Sequence, residues 1–386
     1  MSGTDARFRM PIPYASLKHF LLGWLLACTL LAAPTQAQRF AAIGDYGYAG
    51  TPERDVASLV KSWNPHFVIT LGDNNYDYGD STTIDQNIGQ YYHEYIGFYQ
   101  GRYGQGSAYN RFFPSLGNHD LYTANGIPFL RYFTLPGNGR YYEYRRGNVH
   151  FFVLNSDPAE PHGVASNSVQ AQWLKRRLAL ARAPWKVVYF HHAPYSSGQH
   201  GNATVMQWPF KDWGASVVLS GHDHHYERLL VDGFPYFVNG LGGRNIYNLN
   251  PQRTAAGSRV RYNADYGAML MQASADTLRL EFYTRRGQRI DSYTLGKGLP
   301  LEGTLYPPAP NPFSGSTELA FAVPEPGRVQ IRVLNLLGQE VATLFDADVR
   351  AGKRQLRWYQ GALKAGIYQV VMTSPSGKVT ARAEVL

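Results

Sequence analysis

Before about residue 299 the chain repeats one pattern, in which an apolar run breaks off into a short polar cluster. Arg39 to Ile43 leads into Gly44-Asp45, Phe67 to Leu71 into Gly72-Asp73, and Phe112 to Leu116 into Gly117-Asn118-His119-Asp120. Trp185 to Phe190 leads into His191-His192, and Ser216 to Ser220 into Gly221-His222-Asp223-His224. Short apolar runs bounded by such clusters predict strands. Between Ser168 and Ala181, the residues Val169, Trp173, Leu174, Leu178 and Ala181 return at helical spacing. Strands alternating with helices, with polar groups at the strand ends, predict an α/β sheet with its site at one edge.

From Leu299 the pattern changes. Leu305-Tyr306-Pro307-Pro308-Ala309-Pro310-Asn311-Pro312 is too rich in proline for a helix or a central strand. It predicts a linker over 299–310. Six alternating segments follow, beginning with Thr317 to Val323 and ending with Lys378 to Val385, each separated by Gly, Pro or Asp. They predict a small antiparallel β-sandwich over 311–386. The α/β part, with the polar strand ends, is then expected over 38–298.

Composition narrows the setting. Residues 1–37 have the layout of a secretory signal peptide: basic Arg7, Arg9 and Lys18, an apolar run from Phe20 to Ala33, and Thr35-Gln36-Ala37 as the cleavage site. The expected product is secreted or at the cell surface after passing the periplasm, with no transmembrane segment in the mature chain. Cys28 is the only cysteine and falls in that leader, so the remainder has neither disulfide nor thiolate ligand. Any metal must then be held by His, carboxylate, amide or phenolate. The formal net charge is +9, of which about +7 stays after the leader. A basic surface favours anionic substrates, and no Lys/Arg run or zinc-finger spacing points to a nucleic-acid partner.

Asp45, Asp73, Tyr76, Asn118, His191, His222 and His224 all follow strand-like runs. Glycine at a strand end lets the backbone turn sharply, so these distant residues can converge over one sheet edge. Together they offer oxygen and nitrogen donors for two cations. A shared carboxylate would let the ions sit about 3.5 to 4 Å apart, as in two-metal hydrolases. Any one cluster alone is an ordinary turn; five in order are not.

The order GDYG, GDNNY, GNHD, HH and GHDH resembles the calcineurin-like metallophosphoesterases, and more closely their purple acid phosphatase branch. Tyr76, three residues after Asp73, matches the branch's iron(III)-binding tyrosine, and Tyr226-Glu227-Arg228 after GHDH matches as well. The resemblance implies a β-sheet sandwich flanked by helices. It also implies that Asp45, Tyr76 and His224 hold iron(III), that Asp73 bridges, and that Asn118, His191 and His222 hold iron(II), zinc(II) or manganese(II). Either His191 or His192 could be the ligand; the match of Val188, three residues before His191, favours His191 and leaves His192 behind the ligands or in the pocket wall, and His225 is expected at the surface or behind the ligands. His119 and His200 are expected to bind phosphate and act as general acids, with Asp120 orienting His119.

The implied activity is hydrolysis of small phosphate monoesters by metal-activated hydroxide. A phosphodiesterase or nucleotide hydrolase would use the same donors, and a surface protein that binds metal or phosphate without turnover is the non-enzymatic alternative. The aromatic segment Tyr91 to Tyr99 could either wall the substrate pocket or pack over the sheet. In the C-terminal part, Asn311-Pro312-Phe313, Leu334 to Val341 and Ala365 to Tyr368 resemble the sorting domains read by the type IX secretion machinery. That resemblance implies an address rather than a second active site.

Overall fold

The computed structural model describes residues 37–386 apart from 250, 251, 300 and 301, all within the compact unit Gln36–Leu386. Nearly all of the expected leader lies outside the described residues. Among the described residues, no helix is long and apolar enough to cross a membrane.

The strands before the proline-rich stretch are β1 (Gln38–Ile43), β2 (Phe67–Thr70), β3 (Phe112–Pro114), β4 (Tyr142–Arg146), β5 (Val149–Val153), β6 (Trp185–His192), β7 (Val217–Gly221), β8 (Tyr226–Val231), β9 (Phe234–Asn239), β10 (Ser258–Tyr262), β11 (Gly267–Ala273), β12 (Thr277–Thr284) and β13 (Arg289–Gly296). They form a six-stranded sheet, β13-β12-β11-β1-β2-β3, and a seven-stranded sheet, β10-β8-β9-β7-β6-β5-β4. Within the first, β1, β2 and β3 run parallel; within the second, β5, β6, β7 and β9 do.

The two sheets face each other across one apolar layer. Phe40, Phe67 and Ile69 from the first meet Phe151, Val187 and Leu219 from the second, all 0–1% exposed. Phe40 and Phe67 stack at 4.9 Å, and Phe67 meets Phe151 edge-on at 5.4 Å, so ring packing fixes how the sheets align. Helices cover the outer faces. Thr51–Ser62 buries Val56 and Val60 against the first sheet. Val169–Leu180 starts where the Ser168 hydroxyl accepts the Ala171 N–H, and it buries Leu174 and Leu178 against the second. The result is the expected α/β sandwich.

Of the two readings of the aromatic segment, packing is the one observed. Tyr91, Tyr92, Tyr95 and Tyr99 are buried in the apolar layer under the Thr51–Ser62 helix.

Beyond the proline-rich stretch come β14 (Thr304–Leu305), β15 (Ser316–Val323), β16 (Gly327–Leu334), β17 (Glu340–Val349), β18 (Gly352–Tyr359), β19 (Gly366–Ser374) and β20 (Gly377–Val385). Sheets β14-β15-β18 and β17-β16-β19-β20 close over Phe313, Phe321, Ile331, Trp358 and Met372. The stretch expected as a linker is partly ordered by this sandwich, since β14 pairs with β15 and Ala309 bridges to Glu318. Proline cannot donate to a ladder, which restricts such a segment to a sheet edge.

The sandwich also reaches the preceding two-sheet part through a buried charge cluster. Arg228 on β8 donates Nε to Asp291 at 2.8 Å and Nη2 to Glu325 at 2.8 Å, with all three side chains 3–6% exposed.

Candidate metal centre

Asp45, Asp73, Asn118, His191 and His222 sit at the carboxyl ends of β1, β2, β3, β6 and β7, where the parallel strands of both sheets come to one edge. Local backbone geometry aims them. Asp45, Asp73 and His222 adopt φ of 53°, 52° and 70°, a left-handed conformation that costs a non-glycine residue free energy and is held by its surroundings. The glycines ahead of them admit close approach. A Cβ on Gly72 would lie 2.5 Å from His191 Nδ1, and one on Gly221 2.5 Å from an Asp45 carboxylate oxygen.

The seven expected ligands form one connected, largely buried cluster. The Tyr76 hydroxyl donates to Asp73 Oδ2 at 2.8 Å and lies 3.2 Å from both Asp45 Oδ1 and His224 Nε2. On the other side, His191 Nε2 lies 3.1 Å from Asn118 Oδ1 and 3.1 Å from His222 Nδ1. Asp73 Oδ2 joins the halves, at 3.4 Å from His191 Nε2. One half is therefore Asp45, Tyr76 and His224, the other Asn118, His191 and His222, with Asp73 between them.

The histidines are oriented as metal ligands need. His191 Nδ1 faces the Leu71 carbonyl at 2.9 Å, and His224 Nδ1 faces the Asn245 carbonyl at 2.5 Å. Each ring thereby spends its outer N–H on the backbone and turns Nε2 toward the carboxylates, the arrangement that fixes tautomer and aim in metal-bound histidine. Oxygen and nitrogen donors with no thiolate suit iron, zinc or manganese.

Charge coupling inside the cluster is strong. Burial raises the Asp73 carboxyl, but the His191, His119 and His222 imidazoles outweigh it and hold the group well below its usual range. Burial would lower His191, yet Asp73 and Asp45 push it up to about 10. His222 is driven far below its usual value by burial and then by the His191, His192 and His200 charges. Burial, followed by the Asp73 and Asp45 charges, raises the Tyr76 phenol well above 10.

The remaining expected residues divide. His119 lies beside the cluster, its Nδ1 on the Asp77 carbonyl at 2.6 Å and its Nε2 3.9 Å from Asp73 Oδ2. His200 is exposed, with its ring 4.1 Å from the His222 ring. His192 sits next to His222 at 4.4 Å between ring centres, and its Nδ1 pairs with Ser156 Oγ at 2.9 Å. His191, His192 and His222 nonetheless offer nitrogens within 4.8 Å of one another.

Two expectations are corrected. Asp120 does not orient His119: it is buried and accepts from the Asn74 backbone N–H and side-chain amide and from the Gly117 N–H, at 2.8 to 3.2 Å. It closes the turn of Asn118–Leu121, and a backbone carbonyl holds His119 instead. His225 is not at the surface: it is fully buried beside His224 and pairs with Glu227, whose carboxylate also anchors Ser197.

Three contributors escaped sequence reading. Asp223 is buried and accepts the backbone N–H groups of His200 and Gly201, which fixes the loop that carries His200. Tyr247 stacks on His224 at 4.1 Å and 4°. Arg244 pairs with Asp77 at 2.9 Å and lies over the Tyr48 and Tyr76 rings at 4.3 and 5.2 Å. Only Asp223 had a signal, its place inside GHDH; the other two come from a loop without a motif.

The chain is similar to known phosphoesterases. Residues 38–226 match the family described as calcineurin-like phosphoesterase. Tartrate-resistant acid phosphatase type 5 of Rattus norvegicus is 26% identical over 338 residues, covering 77% of this chain and 97% of its own. Purple acid phosphatase 17 of Arabidopsis thaliana is 21% identical over 311 residues, covering 67% of this chain and 85% of its own. Among solved structures, GAP50, titled the anchor in the inner membrane complex of Plasmodium, superposes with a TM-score of 0.55 at 18% identity, covering 68% of this chain and 89% of its own. Residues 38–226 thus match the calcineurin-like phosphoesterase family, and purple acid phosphatases are among the distant relatives of the chain.

Proposed function

We propose that this chain is a secreted phosphomonoesterase of the purple acid type, with iron(III) on Asp45, Tyr76 and His224 and iron(II), zinc(II) or manganese(II) on Asn118, His191 and His222. The observation that carries this reading is the two-sided donor cluster joined by Asp73 Oδ2, with the Tyr76 hydroxyl among Asp45, Asp73 and His224. The donors fit such ions, and a multivalent cation reverses the local pKa logic, so that the buried Tyr76 can ionise. Bound there, the two ions would lower the pKa of a water toward neutrality and neutralise phosphoryl oxygens. His119 and His200 flank the cluster from two sides and can bind the phosphate and protonate the departing oxygen. The fold alone does not decide this, since the same architecture occurs in a protein titled an anchor; the argument rests on the site.

Metal analysis with a visible spectrum of the purified protein tests the assignment. A purple band that Tyr76→Phe bleaches, in a protein that remains folded, is the expected result; a purple band that survives the change excludes Tyr76 as the iron ligand. Parallel assays on a monoester and a diester separate phosphomonoesterase from phosphodiesterase.

The leader over 1–37 and the C-terminal sandwich support export with type IX sorting. The motif segment Leu334 to Val341 forms the β16–β17 hairpin, and its tip exposes Leu336 and Leu337 at 78% and 83%. An exposed apolar pair on a hairpin tip suits recognition by export machinery. Ending the chain near Gly303 is expected to preserve turnover and abolish delivery to the surface of the native host; delivery of the truncated protein excludes the sorting role.

A further inference from the structure

Beside Tyr76, on the flank that carries His119, lies a cavity of about 420 Å³ lined by Tyr48, Tyr76, Asp77, Tyr78, Asp80 and Gln86, among others. Its volume is within the range of small-molecule sites. Tyr48 and Tyr78 are 46% and 66% exposed, unlike the buried tyrosines of the 91–99 segment. Tyr122, 57% exposed, continues the aromatic row toward the reacting edge, 6.4 Å from Tyr78 and 5.0 Å from His119 between ring centres. Arg244 fixes the opposite wall by holding Asp77 while resting on Tyr48 and Tyr76. The side chains of Asp80 and Gln86 have no hydrogen-bond partner among the described residues, so their acceptor oxygens are available to a ligand.

A general acid must touch the oxygen it protonates, so a leaving group served by His119 departs on the His119 flank, and this cavity is on that flank. Exposed rings give it flat apolar faces, while Asp80 favours N–H donors and disfavours a second anion. We propose that the cavity is the leaving-group site and that it selects nucleoside 5′-monophosphates bearing an amino group on the base. The base stacks on Tyr48 or Tyr78, and its N–H groups meet the Asp80 carboxylate. This inference rests on the phosphomonoesterase reading and adds substrate class to it.

The test compares kcat/KM for adenosine 5′-monophosphate and glycerol 3-phosphate in the wild type and in Tyr48→Ala, Tyr78→Ala and Tyr247→Ala. The wild type should prefer the nucleotide. Loss of a stacking ring should lower that preference about tenfold in Tyr48→Ala or Tyr78→Ala. Tyr247→Ala should leave the ratio unchanged, because Tyr247 lies on the His200 flank. A ratio that moves only in Tyr247→Ala places the leaving group with His200 and overturns the proposal, as does a ratio that moves in none of the variants. Calorimetric titration with adenosine keeps the two readings apart: adenosine should bind the wild type and bind more weakly to Tyr78→Ala. A protein that hydrolyses no phosphate ester but binds adenosine in this way has the site without the proposed reaction. One that hydrolyses esters but binds no adenosine has the reaction without the site.

Discussion

The metal-site edge and the C-terminal sandwich are both built from short strands joined through glycine, yet glycine has a different task in each. At the edge, a Cβ on Gly117 would lie 2.2 Å from an Asp73 carboxylate oxygen, and one on Gly221 2.5 Å from Asp45. In the sandwich, Gly315 and Gly338 have φ of 78° and 77° and nothing within 4 Å of where a Cβ would be. The edge uses glycine so that ligand-bearing loops can touch; the sandwich uses it to turn hairpins. Polar burial differs likewise. The edge packs Asp45, Asp73, Asn74, Asp120 and His191 at 0–2% exposure, whereas the sandwich core is apolar apart from a few groups such as Thr317 and Glu325. A dense polar site therefore tolerates little change in space or charge, and a hairpin sandwich tolerates much of both.

The sharpest way to break this contrast is at the shared ligand. Asp73→Asn should abolish turnover, because an amide bridges two cations poorly; near-normal activity with both metals bound excludes Asp73 as the bridge. Gly221→Ala should strip metal from the site, measured by metal content, since the new methyl group needs the Asp45 carboxylate to move. The matching change Gly338→Ala should cost only about 1 to 2 kcal/mol of stability and leave metal content untouched. Equal effects at the two positions would end the distinction between close approach and turning.

His119→Ala tests the chemistry rather than the packing. It should retain both metals and lose about 100-fold to 10,000-fold in rate on alkyl phosphates. Nitrophenyl phosphate, whose leaving group departs unprotonated, should lose much less. Equal losses on the two substrates would make His119 a phosphate binder rather than an acid.

The two regions meet at Arg228, which allows the comparison to be sharpened by stability measurements. Arg228→Ala leaves Asp291 and Glu325 buried without their cation and should cost about 3 to 5 kcal/mol in urea unfolding. Glu325→Gln should cost at most about 1 kcal/mol, and that at acid pH, because Arg228 keeps both bonds to Asp291. Burial raises the Glu325 carboxyl above 4.5 despite the nearby Arg228. A raised acid binds its proton more tightly when folded, so its contribution is complete below pH 4.5 and is lost as pH rises through the folded value. The wild type should lose stability across that window relative to Glu325→Gln. Parallel curves would place the charge cost elsewhere.

Much of this organisation was already legible in the chain. The succession of apolar runs and polar clusters marked the strands that carry ligands, because a strand buried on both faces reads as a continuous apolar run and its end must turn. Metal chemistry and strand ends narrowed the donors to a few clusters, and the resemblance to the purple acid phosphatases then singled out Tyr76 and His191 and divided the seven between two ions. Side-chain direction and long-range neighbours were not legible. Whether Asp120 faces His119 or Asn74 depends on how the Asn118–Leu121 turn meets the loop after β2, 46 residues away. The inward turn of His225, the stacking of Tyr247 on His224, and the reach of Arg228 across 97 residues to Glu325 are likewise settled only by packing. Periodicity and composition report what each residue needs; only the assembled sheets decide which partner meets that need.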